Sequence, residues 1–530
     1  MKIFKNSKTL WLAAIGLLSL ASCTKEFKTY NTNPNAITDA QLKGDGENIG
    51  GFFPDMETSV MRTVTWEYQV QQNLNADLWS GYMMSADPFG ADNNTSYALN
   101  DGWDTYPFDE ANTHIMSNWL EIFKRAHTTN PSFYAVALII KVEGMHRVTD
   151  VYGPMPYSKF GTAALNIPYD SQQDVYNRFF AELDTAVTSL TAAVTANPTD
   201  KTFAPYDYIY GGSYTEWIKF ANTLRLRLAM HIVYADAVTA KAQAEKACAN
   251  SYGLLSTTGD AAVVNISSTN NYTNPFNVIT TSWGDISMGA TLQSILDGYS
   301  DPREAKYALK SSLDPTKYLG IRLGVSYNVS YAGFSELGVQ PTDPLEWMEP
   351  SESFFLRAEG ALRGWNMGGG TAQSYYEQGV TLSFAEKGAT MPSTYLTDNT
   401  SVPGAYVDPQ NSKDNVPAGS PLLNNITIAW NSGDTFEHSL QRIITQKWIA
   451  GFPDGQEAWT DYRRTGYPLQ FPVVNNNSNG KISSTLGIRR LPFPADEVSN
   501  NAAAVTKAIT LLGGADNGGT KLWWDKNPNH

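Results

Sequence analysis

Aromatic rings and short amides dominate the side chains of this sequence that could do chemistry. It carries 14 Trp, 28 Tyr and 22 Phe. Most of these rings must be core, because burying one removes a large apolar area from water. Rings that fall in loops beside Asn, Gln, Asp or Arg are a different matter. A sugar presents apolar C–H faces edged by hydroxyl groups, so a ring stacks on the first while amides and carboxylates hydrogen-bond the second. On that chemistry the candidate ligand contacts are Trp79 and Tyr82, Phe89 and Tyr97 around the stretch 87–94, Trp103, Trp283 near Asn270, Asn271 and Tyr272, and Trp347. Packing within its own loop is the competing role for each ring. It weighs most at Trp103, which with Tyr106 precedes a helical stretch carrying Trp119 and Phe123.

Covalent and acid–base chemistry finds little support. The six histidines, His114, His127, His146, His231, His438 and His530, are scattered, and none forms an H-E-x-x-H pair. "GFSELG" (333–338) has one residue too many for a G-x-S-x-G elbow, "GDGENIG" (44–50) misses the dinucleotide pattern, and no phosphate-binding loop is present. No catalytic residue is assigned. A glycoside hydrolase needs only two carboxylates at a set separation, and 52 acidic residues keep that alternative open. No cofactor is expected. Loops rich in Asp and Asn leave room for a structural calcium, but none has EF-hand spacing, so the metal is left unassigned. A net charge of −14 repels phosphate backbones and argues against nucleic acid.

A different chemistry is written at the start, in "LLSLASCTKEF" (17–27). Lys2, Lys5 and Lys8 precede an apolar run from Leu10 to Leu20, too short to cross a hydrocarbon core that needs about 20 residues. A charged segment, a short apolar segment and then small residues describe a secretory leader. Leu20, Ala21 and Ser22 directly before Cys23 resemble a lipobox, which marks Cys23 for lipidation and makes it the new N-terminus. Lys25 and Glu26 resemble, more faintly, the export signal that sends some lipoproteins to the cell surface. Without the leader, 35 basic residues face 52 acidic ones, a net −17. With Cys23 acylated, Cys248 has no partner, so no disulfide framework supports the fold. The expected organisation is a leader over 1–22, a lipidated tether over 23–50 and a single large domain over 51–530.

Helices must position the candidate rings. Residues 56–84 are expected to form a first long helix after Pro54. The periodicity predicts a helix from Pro131 to Asp150, opened by the N1 preference of proline. A second spans 172–195, with Val175, Phe179, Leu183, Ala186 and Leu190 on one stripe. Two more fall within 214–250, a pair over 351–366 and 371–386, and one over 436–450. Paired helices with short breaks suggest stacked units like tetratricopeptide repeats, although no clean period of about 34 residues is present. Long stretches of Asn, Ser, Thr, Gly and Pro separate them, at 255–290, 312–346, 390–430 and 472–485. Loops this long are usually functional or disordered, which predicts a binding face on a helical scaffold. Arg463 and Arg464, with Glu457 and Asp461, are expected to form an ion-pair network, and one of Arg225 and Arg227 to face an interior acid such as Glu359.

Several stretches together carry a family resemblance: "NTNPN" (31–35), "DVYGPMPYS" (150–158), "DYIYGGSYTEWIKFANTLRLRLAM" (207–230), "SDPREAKY" (300–307), "FFLRAEGALRGWNMGG" (354–369), "QKWIAGFPDGQEAWTDYRRTGYP" (446–468) and "KLWWDK" (521–526). In this order they resemble the SusD/RagB family of nutrient-binding outer-membrane lipoproteins. The resemblance implies a mostly α-helical fold in which four tetratricopeptide-like helix pairs support irregular loops forming a ligand-binding face. It implies a lipid anchor in the outer membrane, facing the cell exterior, and a role as lid of a SusC-like TonB-dependent transporter. The ligand would be an oligosaccharide, or a peptide. A surface glycoside hydrolase and a helical-repeat adaptor that binds no nutrient are the alternatives.

Overall fold

The structure, a computed structural model, describes residues 46–86, 89, 92–162 and 166–530. Cys23, the leader, and Asp87 and Pro88 of the loop around Phe89 lie outside the described residues. One compact unit runs from Phe52 to His530. In the other, the described residues carry a single helical turn, Glu47–Gly50.

Four helix pairs frame the larger unit: α1 (Pro131–Tyr152) with α2 (Gln172–Ala196), α3 (Tyr214–His231) with α4 (Ala237–Cys248), α5 (Pro350–Leu362) with α6 (Ala372–Glu386), and α7 (Phe436–Ala450) with α8 (Gly455–Thr465). Local chemistry starts most of them. Side chains of Asn130, Ser171, Ser213, Asp236, Thr371, Thr435 and Asp454 each accept a backbone N–H of the first turn, satisfying donors that a helix start otherwise leaves orphaned. Pro131 and Pro350 stand at or next to N1. α1 and α3 are buried almost all round and pack between their neighbours, whereas α2 buries the predicted stripe and leaves its other face to solvent. Contacts run α1–α2–α3–α4 and α5–α6, with α5 also against α3 and α7. This is the mostly helical, repeat-like architecture expected from the sequence.

Gly212 and Gly455 allow two close approaches. A Cβ on Gly212, which has φ +79, would lie 2.6 Å from the Ala204 nitrogen. A Cβ on Gly455 would lie 2.4 Å from the Asp77 Cα, so only glycine lets the start of α8 meet the chain there.

The expected long helix over 56–84 is not formed. A helix over Phe53–Val60 ends where Met61 turns extended, and the chain restarts at Thr65–Tyr68, continues as a wide-turn helix over Gln69–Asp77 and becomes strand β1 (Met83–Ser85). The β-branched run Thr63, Val64, Thr65 disfavours a continuous helix. Within the wide turn Asn75 leaves helical geometry, its side chain donating to the Val70 carbonyl. The helix predicted to 366 stops at Leu362, because Gly364 takes φ +77 and closes the end. Periodicity does not mark α8 as an element, nor the helix Ala290–Tyr299.

An ionic spine runs between the pairs. Arg464, fully buried, donates both terminal nitrogens to Glu359 at 2.8 Å and a 2.7 Å bond to Asp461. Glu359 also takes Arg363 at 2.8 Å. Lys447 bonds Glu457 and Asp461, each at 2.6 Å. Arg227 reaches Glu352 at 2.6 Å and Glu143 at 3.3 Å, while Arg225 reaches Asp184 at 2.6 Å. Both meet acids, but neither takes the expected Glu359, which Arg464 and Arg363 occupy instead. Arg463 has no carboxylate partner among the described ion pairs. It stacks 3.4 Å from the Trp459 ring centre and donates to the carbonyls of Asp150 and Arg489. Trp524, fully buried, donates its indole N–H to the Asp150 carboxylate at 2.7 Å, which fastens the C-terminal stretch onto α1.

Several buried groups are held away from their ordinary protonation. Burial keeps the Asp104 carboxyl protonated up to about 8 despite a hydrogen bond from Asn94. Burial together with neighbouring Asp297 raises Glu304 to about 9. Burial opposes charge on His231, but Glu457 and Asp150 overcome it and raise the imidazole to about 9. The two carboxyls lose their protons near pH 4 when the chain unfolds, so the folded state falls behind as pH rises from there toward 8–9. His231 contributes stability below about pH 6.5 that is lost as pH passes 9. All three act in one direction. The melting temperature is expected to fall by several degrees from pH 6 to pH 9.5, measured by scanning calorimetry, and an unchanged or rising value would contradict this.

Candidate functional site

Two short antiparallel ladders lie outside the helix frame: β1 with β3 (Ile286–Met288), and β2 (Ala262–Val264) with β4 (Leu345–Met348). In the first, Ser85 faces Ile286, and the Ala86 N–H continues the pairing to the Asp285 carbonyl at 3.2 Å. The chain therefore leaves β1 toward Phe89 and enters β3 from Trp283 at the same end of the ladder.

Exposed rings gather at that end. Phe89 is 37% exposed, carries a positive φ of 46 that is unusual for an aromatic residue, and meets Trp103 edge to face at 5.6 Å. Trp283 is 43% exposed, at the end of the wide turn Val278–Trp283, where Gly284 at φ +73 redirects the chain into β3. Tyr327 is 56% exposed on the facing loop.

Between these loops lies a recess of about 490 Å³, whose polar lining includes Ser85, Asp92, Thr95, Ser326, Asn475 and Asn477, with Tyr327 and Tyr331 as its rings. Buried hydrogen bonds fix its walls. Asn94, fully buried, donates to the Leu74 carbonyl and to Asp104, both at 3.0 Å, and accepts the Asn100 N–H at 2.9 Å. Asn475 holds the Gly324 carbonyl at 2.8 Å. The Asn477 backbone donates to Ser96 at 2.8 Å and its amide to Asp92. Tyr331 donates to Asp408 at 2.8 Å. Among the described residues, Asp92 is the lone acidic side chain on this lining, and no basic one joins it. A recess of amides and hydroxyls with rings at its mouth, and no cation, suits a neutral polyhydroxylated ligand better than an anionic one. A second hollow of about 290 Å³ begins on the other side of Asn477.

The seven sequence candidates divide. Phe89 and Trp103 meet edge to face, and Trp283 lies just before β3 at the same ladder end; none of the three is on the lining of the recess. The other four are corrected to structural roles. Trp79 packs 5.0 Å from Trp459 and donates to the Asn94 carbonyl. Tyr82 is fully buried against Trp448 and Phe452, with its hydroxyl on the Trp448 carbonyl. Tyr97 is buried beneath the loop it is expected to crown. Trp347 packs on Trp217 and Phe220. Trp79, Tyr82 and Tyr97 sit beside element ends and Trp347 within β4, where the ring is drawn into the adjoining core. Tyr327, Asn475 and Asn477 escape the sequence criteria, although they lie in two of the four long loops; the cluster "NNNSNG" (475–480) is the available signal.

A larger recess, about 700 Å³, lies beside β2 and β4. Its lining rings, Phe276, Tyr307 and Phe452, are buried, and Lys387 is engaged, 2.5 Å from Glu346 and 3.4 Å from Glu349. It offers no open ring face. Among the described residues, no group of three His, Cys, Asp or Glu could hold a metal ion, and no helix is long and apolar enough to cross a membrane.

The family described as "SusD and RagB outer membrane lipoprotein" matches residues 29–525. Among solved structures, a chitin-binding SusD homolog from Flavobacterium johnsoniae is 46% identical with a TM-score of 0.87, covering 91% of this chain and 100% of its own. SusD homologs from Bacteroides vulgatus (36% identity, TM-score 0.85, 92% and 100% covered) and Bacteroides uniformis (37%, 0.84, 91% and 99%) superpose similarly. No curated protein matches the sequence.

Proposed function

The chain belongs to the SusD-like family of outer-membrane lipoproteins, and from that premise we propose that it captures neutral oligosaccharide in the recess lined by Tyr327, with Phe89, Trp103 and Trp283 of the adjoining ladder end as further ring contacts. The observation that carries this reading is the coincidence of half-exposed rings with an amide-lined, cation-free hollow. The chitin-binding relative supports a glycan as ligand, and chitin oligosaccharides are the first to try. Lipidated at Cys23 and facing the cell exterior, the body is held over a SusC-like TonB-dependent transporter, whose effective concentration the tether raises. The protein closes as a lid over bound sugar. The energy of import comes from the partner, and the chain itself acts as a binder without cleaving its cargo.

Calorimetry against chitin oligosaccharides and a panel of other neutral glycans tests the site. Trp283→Ala is expected to weaken binding about tenfold, the loss of roughly 1.4 kcal/mol that one anchoring ring supplies. Unchanged affinity would remove the ladder-end rings from the site, and release of reducing sugar would favour the hydrolase alternative.

A further inference from the structure

Trp66 is 50% exposed, and its neighbour Val64 is 41% exposed. Both sit where the chain restarts after the break at Met61, on a short turn whose outer face could equally be polar. An indole kept half in water beside another apolar side chain marks a contact surface. The ring is braced: Tyr106 meets it at 5.7 Å and 87°, edge to face, leaving an indole face open. One helical turn on, Gln69 donates from Nε2 to the Asp285 carboxylate at 2.7 Å. Asp285 is two residues from Trp283 and pairs with Ala86 at the edge of the recess. An amide–carboxylate pair thus stands between two half-exposed indoles, continuous with the ladder end that carries Phe89.

The cation of this region is spoken for. Arg62 contacts Glu67, lies 3.0 Å from Glu110 and 3.8 Å from Asp55. With the surrounding acids in excess, the surface repels phosphate, sulfate and uronate groups and suits a neutral chain.

We propose that Trp66, its segment tied to that of Trp283 by the bond from the buried Gln69 to Asp285, forms an additional sugar subsite outside the recess, so that the protein holds an extended stretch of glycan running from the recess past Trp283 to Trp66. This rests on the glycan-binding reading above. Calorimetry with chitin oligosaccharides from dimer to hexamer tests it on the full-length protein. Wild-type affinity should climb with chain length. Trp66→Ala should weaken the hexamer about tenfold and leave the dimer within twofold, and Trp66→Phe should restore most of the loss; circular dichroism and melting of each variant confirm an intact fold. Equal affinity of Trp66→Ala and wild type at every length overturns the subsite, and weakened co-purification of a β-barrel transporter in that variant would assign Trp66 to a protein contact instead. A wild type that binds dimers no worse than hexamers also overturns it, leaving the recess reading intact. A wild type that binds no neutral glycan ends both.

Discussion

Glu359→Ala is expected to cost the folded protein about 3–5 kcal/mol, the range for removing one partner of a buried ion pair. Glu359 and Arg464 are both fully buried, joined by two bonds of 2.8 Å, and Arg363 takes the same carboxylate. Burial alone would raise the Glu359 carboxyl, yet Arg464 and Arg363 pull it down to about 2. Truncation strands the Arg464 guanidinium in a space where Asp461 alone remains to compensate it. The double variant Glu359→Leu with Arg464→Met removes both charges and should recover much of the loss, since a well-packed apolar pair often matches a buried ionic one. Urea denaturation of the three proteins checks this. A single-variant loss below about 1 kcal/mol would show that the spine is hydrated and carries little of the fold.

Cys23→Ala should move the protein from the membrane pellet to the supernatant almost completely. One acyl chain holds a protein only marginally, whereas several hold it durably, and the body offers no apolar membrane-spanning helix among its described residues as a substitute. Fractionation after a high-salt wash reads the outcome. On the proposed function, glycan uptake by cells carrying the variant should collapse with it, because the protein would no longer be held near a transporter. Retention in the washed pellet would refute lipidation as the anchor.

The helix frame is legible because its signals are local. Asn130, Ser171 and Thr435 each cap the helix that begins beside them, and the stripe from Val175 to Leu190 is buried as its spacing requires. Residues 56–84 mislead because apolar content survives the break at Met61, and a wide turn cannot be told from an α-helix by period alone. The site is half legible. Composition identifies loops and rings as the relevant chemistry, and Phe89 does meet Trp103. Whether a given ring faces water depends on partners distant in sequence, as with Tyr82 under Trp448 or Trp347 on Trp217. Arg227 and Arg464 show the same limit: pairing is expected for each, and Arg464 does meet the nearby Asp461, but Glu352 and Glu359, which also take them, lie 125 and 105 residues away.

The bond from Trp524 to Asp150 closes a separation of 374 residues. Helix α1 is therefore made long before the last partner of its final acid exists; Tyr176 of α2 and His231 of α3 meet that carboxylate first, and the indole completes the set. Long-range closure of this kind slows acquisition of the native state, which suits a polypeptide that must be threaded across one membrane before it matures at another. Trimming the segment 521–526 would remove that indole and leave the Asp150 carboxylate to Tyr176 and His231.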